Sequence, residues 1–178
     1  MTRTTLTICL GVCILGLAFT AQAQDQINFS QLPFVSTPSP MPAGYGRLNW
    51  ANFFYVNPYA WSGAGPGYLL QNNSADVAFV GGEFCQLSGY ACSGSLNSPT
   101  GFELLTAQVA GGYGTTQVTV TAYKKGAFVG TAKYEVTPQV QNMNFPPSWG
   151  AVTEVMFQVT GEPGSLVIYN LTAYHLGG

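Results

Sequence analysis

Apolar and polar positions alternate in short runs along this chain, and clusters of Gly, Pro, Asn and Ser separate the runs. In Gln117 to Tyr123, Val118, Val120 and Ala122 fall on one side and Thr119, Thr121 and Tyr123 on the other, the period-two signature of a half-buried strand. Lys124-Lys125-Gly126 then reads as a tight turn and Ala127 to Val136 as the returning strand. The same reading places strands at Gln26 to Phe29, Phe53 to Val56, Tyr68 to Leu70, Val77 to Val80 and Glu83 to Cys85. Others follow at Phe102 to Ala110, Val152 to Val159 and Leu166 to Tyr174. In the penultimate run, Thr153, Val155, Phe157 and Val159 share one side. Residues 95 to 101 and 138 to 150 read as longer connections. Beyond the first 23 residues no long amphipathic helix is predicted. The expectation is an all-β, antiparallel β-sandwich in one domain, residues 24 to 178.

The first 23 residues break this pattern. Arg3 precedes an apolar run from Ile8 to Phe19, and Ala21-Gln22-Ala23 offers a small-x-small cleavage site. The run is shorter than the roughly 20 residues that span a bilayer. Residues 1 to 23 are therefore read as a signal peptide, and the protein as secreted or extracellular (periplasmic in a Gram-negative bacterium). Cys9 and Cys13 would leave with the leader. Cys85 and Cys92 then remain as an even pair in an exported chain, which predicts a disulfide.

Charge narrows the function. Only 7% of the residues are charged, five basic against seven acidic, where an ordinary soluble protein has about 25%. So few cations cannot neutralise a phosphate backbone, which excludes nucleic acid as a partner.

Between Pro42 and Trp61 the chain concentrates Tyr45, Trp50, Phe53, Phe54, Tyr55, Tyr59 and Trp61 among glycines, prolines and asparagines, with Arg47 as the only charge. Strand alternation buries either Phe53 and Tyr55 or Phe54 and Val56. The aromatics beside turn-formers, Tyr45, Trp50, Tyr59, Trp61 and Tyr68, are the ligand candidates, with Trp149 in Pro146-Pro147-Ser148-Trp149 as a further one. Rings take the apolar faces of a sugar, and Asn and Arg side chains its hydroxyls. Arg47 suits either a bidentate clamp on a ligand or a lock on its own loop.

Catalytic signatures are weak. Glu103, Glu135 and Glu154 sit in predicted strands, but no spacing singles out the pair a glycosidase needs. Tyr123-Lys124-Lys125-Gly126 superficially suits a lyase, yet the sole histidine, His175, reads as a frayed terminal residue. There is no Gly-x-Ser-x-Gly motif. Asn28, Asn72 and Asn170 begin Asn-x-Ser/Thr sequons, which carry meaning only in a eukaryotic host.

Ile27-Asn28-Phe29 with Pro42-x-Gly44-Tyr45-Gly46-x-Leu48-Asn49-Trp50-x-Asn52-Phe53-x-Tyr55-Val56-Asn57 resembles a family of exported, mostly uncharacterised bacterial and fungal proteins. Gly101-Phe102-Glu103-Leu104-Leu105, Gln117 to Tyr123 followed by Gly126-x-x-Val129, Val152-x-Glu154-Val155-x-Phe157 and Ile168 to Thr172 match its later strands. The resemblance implies a jelly roll similar to galactose-binding-like carbohydrate-binding modules. Many of these carry a structural calcium ion held by acids in the first strand and before the final Asn-Leu. Here Asn28-Phe29-Ser30 and Tyr169-Asn170 stand in those places. No other cofactor is implied. The expected function is non-catalytic binding of carbohydrate or a cell-surface glycan, without membrane insertion. The alternative is an extracellular structural, adhesive or host-directed protein with a protein partner, and a polysaccharide-active enzyme stands third.

Overall fold

One long strand organises the molecule. The computed structural model describes residues 24–70, 76–81, 92–161 and 164–176. In it, β6 runs from Ser93 to Gly111 and belongs to both layers of a β-sandwich. Its first part pairs antiparallel with β10 (Val152–Thr160) and with β3 (Asn49–Ala51). Its second part pairs with β11 (Ser165–His175) and β9 (Gln141–Asn144). The change of layer falls where the register against β10 slips from Val152↔Phe102 to Glu154↔Asn97. Pro99 and Thr100 protrude there, and Gly101 takes a φ of 89°. A glycine meets that angle without a Cβ penalty. The expected connection at 95–101 is thus a bend inside one long strand.

The first layer continues from β10 to β7 (Thr116–Lys124) and β8 (Ala127–Val136). Lys125 and Gly126, at φ 52° and 80°, join them in the positive-φ, two-residue turn that suits the twist of a hairpin. The second layer runs β2 (Ser39–Pro40), β4 (Phe54–Val56), β5 (Val77–Gly81), β11, β6. Along one edge, β11 pairs with β5 through residues 165–168 and with β1 (Gln24–Asn28) through residues 170–174. All pairings are antiparallel, as predicted.

Between the layers lies the main core. It includes Val118, Val120, Ala122, Val155, Phe157 and Val159, on the sides the alternation indicated. A second, smaller core lies on the outside of the second layer. Phe54, Val56, Val77, Phe79, Val167 and Tyr169 face outward there and are covered by the segment that follows β4. Both alternatives for Phe53 to Val56 are therefore realised: Phe53 and Tyr55 enter the main core, Phe54 and Val56 the outer one.

Other boundaries differ from expectation. Tyr68 to Leu70 is no strand: Pro66–Tyr68 forms a 3₁₀ turn, and Pro66 and the two glycines around it favour a turn over a ladder. The long connection at 138–150 contains β9 and a 3₁₀ turn at Pro147–Trp149. The predicted strand Glu83 to Cys85, the signal peptide and Asn72 lie outside the described residues. No helix among the described residues is long and apolar enough to cross a membrane.

Candidate functional site

Gln24, Gln26 and Asn28 alternate along β1 with Asp25 and Ile27, and Ile27 enters the core. The three amides therefore point away from it. Beside them the chain turns through Gly44-Tyr45-Gly46-Arg47, with φ of 75° at Gly44, 58° at Gly46 and 62° at Arg47. Arginine in the left-handed region is uncommon and follows here from the surrounding turn. A Cβ on Gly46 would stand 2.8 Å from Ile27 Cδ1, so the turn lies directly on β1. Between the two runs a groove of 440 Å³, lined by Gln24, Asp25, Gln26, Asn28, Gln31, Tyr45 and Arg47 among others.

The turn is held from below. The Trp50 indole N–H donates to the Tyr45 carbonyl at 2.8 Å. Its ring is buried edge-on to Phe29 and Phe53, with centroids 5.8 and 5.2 Å away. Tyr45 stacks on Phe29 and donates its hydroxyl to the Asn28 carbonyl. Burial, then the negative charge of Asp76, raise the Tyr45 pKa, so the phenol stays neutral. Arg47 Nη1 is 3.6 Å from Asp25 Oδ2, with both groups substantially exposed. Such a pair contributes under about 1 kcal/mol, and a ligand can compete for the guanidinium. Behind Asp25, His175 Nε2 stands 3.8 Å from the same oxygen, buried and without a hydrogen-bond partner. Burial, then the Arg47 charge, lower the His175 pKa, and Asp25 opposes them. His175 ends β11 in the interior and is not the frayed residue expected.

A second cleft of 270 Å³ shares Gln26 and Asn28 with the groove and adds Ser30, Asp76, Asn170 and Tyr169. Asn28 Oδ1 accepts from the Ser30 hydroxyl at 2.6 Å, and Asn170 donates to Gln108 Oε1 at 2.9 Å. Burial raises the Asp76 pKa, and a hydrogen bond with Asn57 opposes the rise. Among the described residues Asp76 is the only acid lining this cleft. Among the described residues no three of His, Cys, Asp and Glu cluster as a metal site. These donors do not make the carboxylate-rich set expected for calcium, an ion that takes six to eight oxygens.

The aromatic ligand candidates do not share one surface. Only Tyr45 and Arg47 line the groove. Trp50 is 8% exposed and works as the support just described, a correction to its expected place on a binding face. Tyr68 is 1% exposed and likewise no open platform. Its hydroxyl is 2.7 Å from Ser165 Oγ beneath the outer cover. Trp61, half-buried, stacks on Phe79 at 5.7 Å and 17°. Tyr59 is exposed on the same cover, and Trp149 is half-buried against Phe145 on another side. None of the three glutamates pairs in register with another: Glu103 faces Tyr174, Glu135 faces Gln117, and Glu154 faces Tyr123 and Asn97. Sequence reading missed the amides of β1, although the alternation of Gln24, Gln26 and Asn28 around Ile27 carried the signal.

No family model matches the sequence, and no curated protein matches it. A DUF4465 family protein from Bacteroides caccae ATCC 43185 is similar in structure, with a TM-score of 0.56 at 11% identity over 91% of this chain and 96% of that one. At that identity the likeness shows the fold alone. A family two carbohydrate esterase from Cellvibrio japonicus aligns over 88% of this chain and 34% of its own, with a TM-score of 0.41 and 12% identity. TmCBM61 in complex with β-1,4-galactotriose aligns over 71% and 86%, with a TM-score of 0.39 and 12% identity. Scores that low carry no argument about this chain.

Proposed function

We propose that this is an exported, non-catalytic β-sandwich protein that binds carbohydrate in the groove beside β1. The observation that carries this reading is the groove lining: four amides, an exposed guanidinium and a tyrosine ring on one open concavity of 440 Å³. Amides donate and accept, as sugar hydroxyls do, and the ring offers an apolar face. The volume lies in the range of small-molecule sites. The low overall charge suits a neutral ligand, and the shared fold is compatible with this reading.

The test is a pull-down on insoluble and soluble neutral polysaccharides, together with a reducing-end assay on each bound substrate. Retention that falls about tenfold in Arg47→Ala, without release of new reducing ends, is the expected result. Absence of retention on every polysaccharide would overturn the binding claim, and product release would overturn the non-catalytic one.

A further inference from the structure

Strand register brings five side chains into one transverse row on the outer side of the first layer. Asn49 pairs with Asn97, Asn97 with Glu154, Glu154 with Tyr123, and Tyr123 with Phe128. Paired residues of antiparallel strands point to the same side. Their chain neighbours Trp50, Leu96, Val155 and Ala122 are all core, so the row faces outward. It crosses five strands, a span of about 19 Å at ordinary strand spacing. At one end the register shifts by a residue between Ala122 and Tyr123, so that Val129 packs on the core and Phe128 turns out beside Tyr123. The two rings meet edge-on with centroids 6.4 Å apart, and Phe128 is 66% exposed. A bulge that re-aims one side chain is a feature typical of binding surfaces.

Chemistry singles out the occupant. Among the described residues no cation lies within ion-pair distance of Glu154, and its half-buried carboxylate accepts no hydrogen bond. An ionised carboxylate has acceptor capacity only, so a ligand that brings hydroxyl donors can take the place of water there. Beside Glu154 in the row stand Tyr123 and the Asn97 amide, whose nitrogen donates to Ser95 Oγ at 2.8 Å. The next row presents Ser95, Met156, Thr121 and Thr131, the two threonine hydroxyls 3.2 Å apart. We propose that this face is a second glycan site, taking a neutral pyranose chain across the strands, with Tyr123 and Phe128 under the apolar sugar faces and Glu154 accepting sugar hydroxyls. Uronic acid chains are disfavoured because their carboxylates meet Glu154. The inference stands independently of the β1 groove, which lies in the other layer.

Affinity electrophoresis in gels containing xylan, β-1,4-galactan, laminarin or polygalacturonate separates the two sites. In the Arg47→Ala background, a neutral polysaccharide still retards the protein, and adding Tyr123→Ala with Phe128→Ala cuts that residual affinity roughly tenfold or more. Glu154→Gln, which keeps shape and removes charge, admits polygalacturonate. Residual binding untouched by the double substitution would overturn the proposal, as would no residual binding in Arg47→Ala. Retardation of Arg47→Ala by polygalacturonate, with Glu154 intact, would contradict the assigned ligand class. Near-ultraviolet circular dichroism confirms the fold of each variant, both rings being on the outer face.

Discussion

The Tyr68 hydroxyl lies 2.7 Å from Ser165 Oγ although the two residues are 97 positions apart. This contact closes the segment after β4 over the outer face of the second layer. Both partners are buried, and burial holds the Tyr68 pKa well above that of an ordinary phenol. Tyr68→Phe leaves Ser165 without its phenol partner in the interior, at an expected cost of about 1–2 kcal/mol in denaturant unfolding. Polysaccharide affinity is expected to stay unchanged, because Tyr68 supports a cover and not a ligand face.

The same cover depends on Gly67. A Cβ there would come within 1.9 Å of the Gly111 carbonyl oxygen, a backbone atom that cannot swing aside. The Gly67 N–H donates to the Gly112 carbonyl at 2.9 Å, and Tyr169 donates its hydroxyl to the Gly67 carbonyl. Gly67→Ala is expected to destabilise by about 1–3 kcal/mol and to undock the cover. Trp61, which stacks on Phe79, then becomes more exposed, and a red shift of tryptophan emission reports it.

His175 makes stability depend on pH. Its folded pKa is lowered, chiefly by burial and then by Arg47, so the unfolded chain binds a proton more readily. The stability it contributes is complete above the ordinary histidine value near 6.5 and is lost as pH falls from there toward the folded value. The other groups facing it are Asp25 and Arg47. Urea unfolding midpoints of the native protein should decline with acidification below about pH 6.5, and those of His175→Gln should be flatter across the same range. Equal slopes would contradict the assignment.

Much of the architecture was legible because strand alternation is a local property. Val118, Val120 and Ala122 on one side and Thr119, Thr121 and Tyr123 on the other are placed as read, and the turn at Lys125-Gly126 follows from its residues. The site was less legible because burial of an aromatic depends on distant chain. Trp50 and Tyr68 sit beside turn-formers, which marks surface segments, yet each turn folds back onto a sheet and buries its ring. Nor does spacing show that a layer has two apolar faces, which is why Phe54 and Val56 are buried as well as Phe53 and Tyr55. Arg47, His175 and Asp25 meet only through the pairing of β1 with β11.

Cys92 belongs to the pair expected to form a disulfide. It is half-buried just before β6, and its carbonyl accepts from the Val159 N–H at 3.0 Å; Cys85 lies outside the described residues. A disulfide between them is expected to stabilise by roughly 2–3 kcal/mol. Alkylation of the purified protein under denaturing conditions without reductant should label neither cysteine, and labelling of both would contradict the bond.

Backbone amide shift mapping tests the groove most directly. A neutral oligosaccharide is titrated into ¹⁵N-labelled protein carrying Tyr123→Ala and Phe128→Ala, which leaves the β1 groove as the site under test. Saturable shifts centred on Gln26, Asn28 and Gly44 to Arg47 are the predicted result. Shifts centred on Tyr59 to Tyr68, or none across a panel of neutral oligosaccharides, would contradict it.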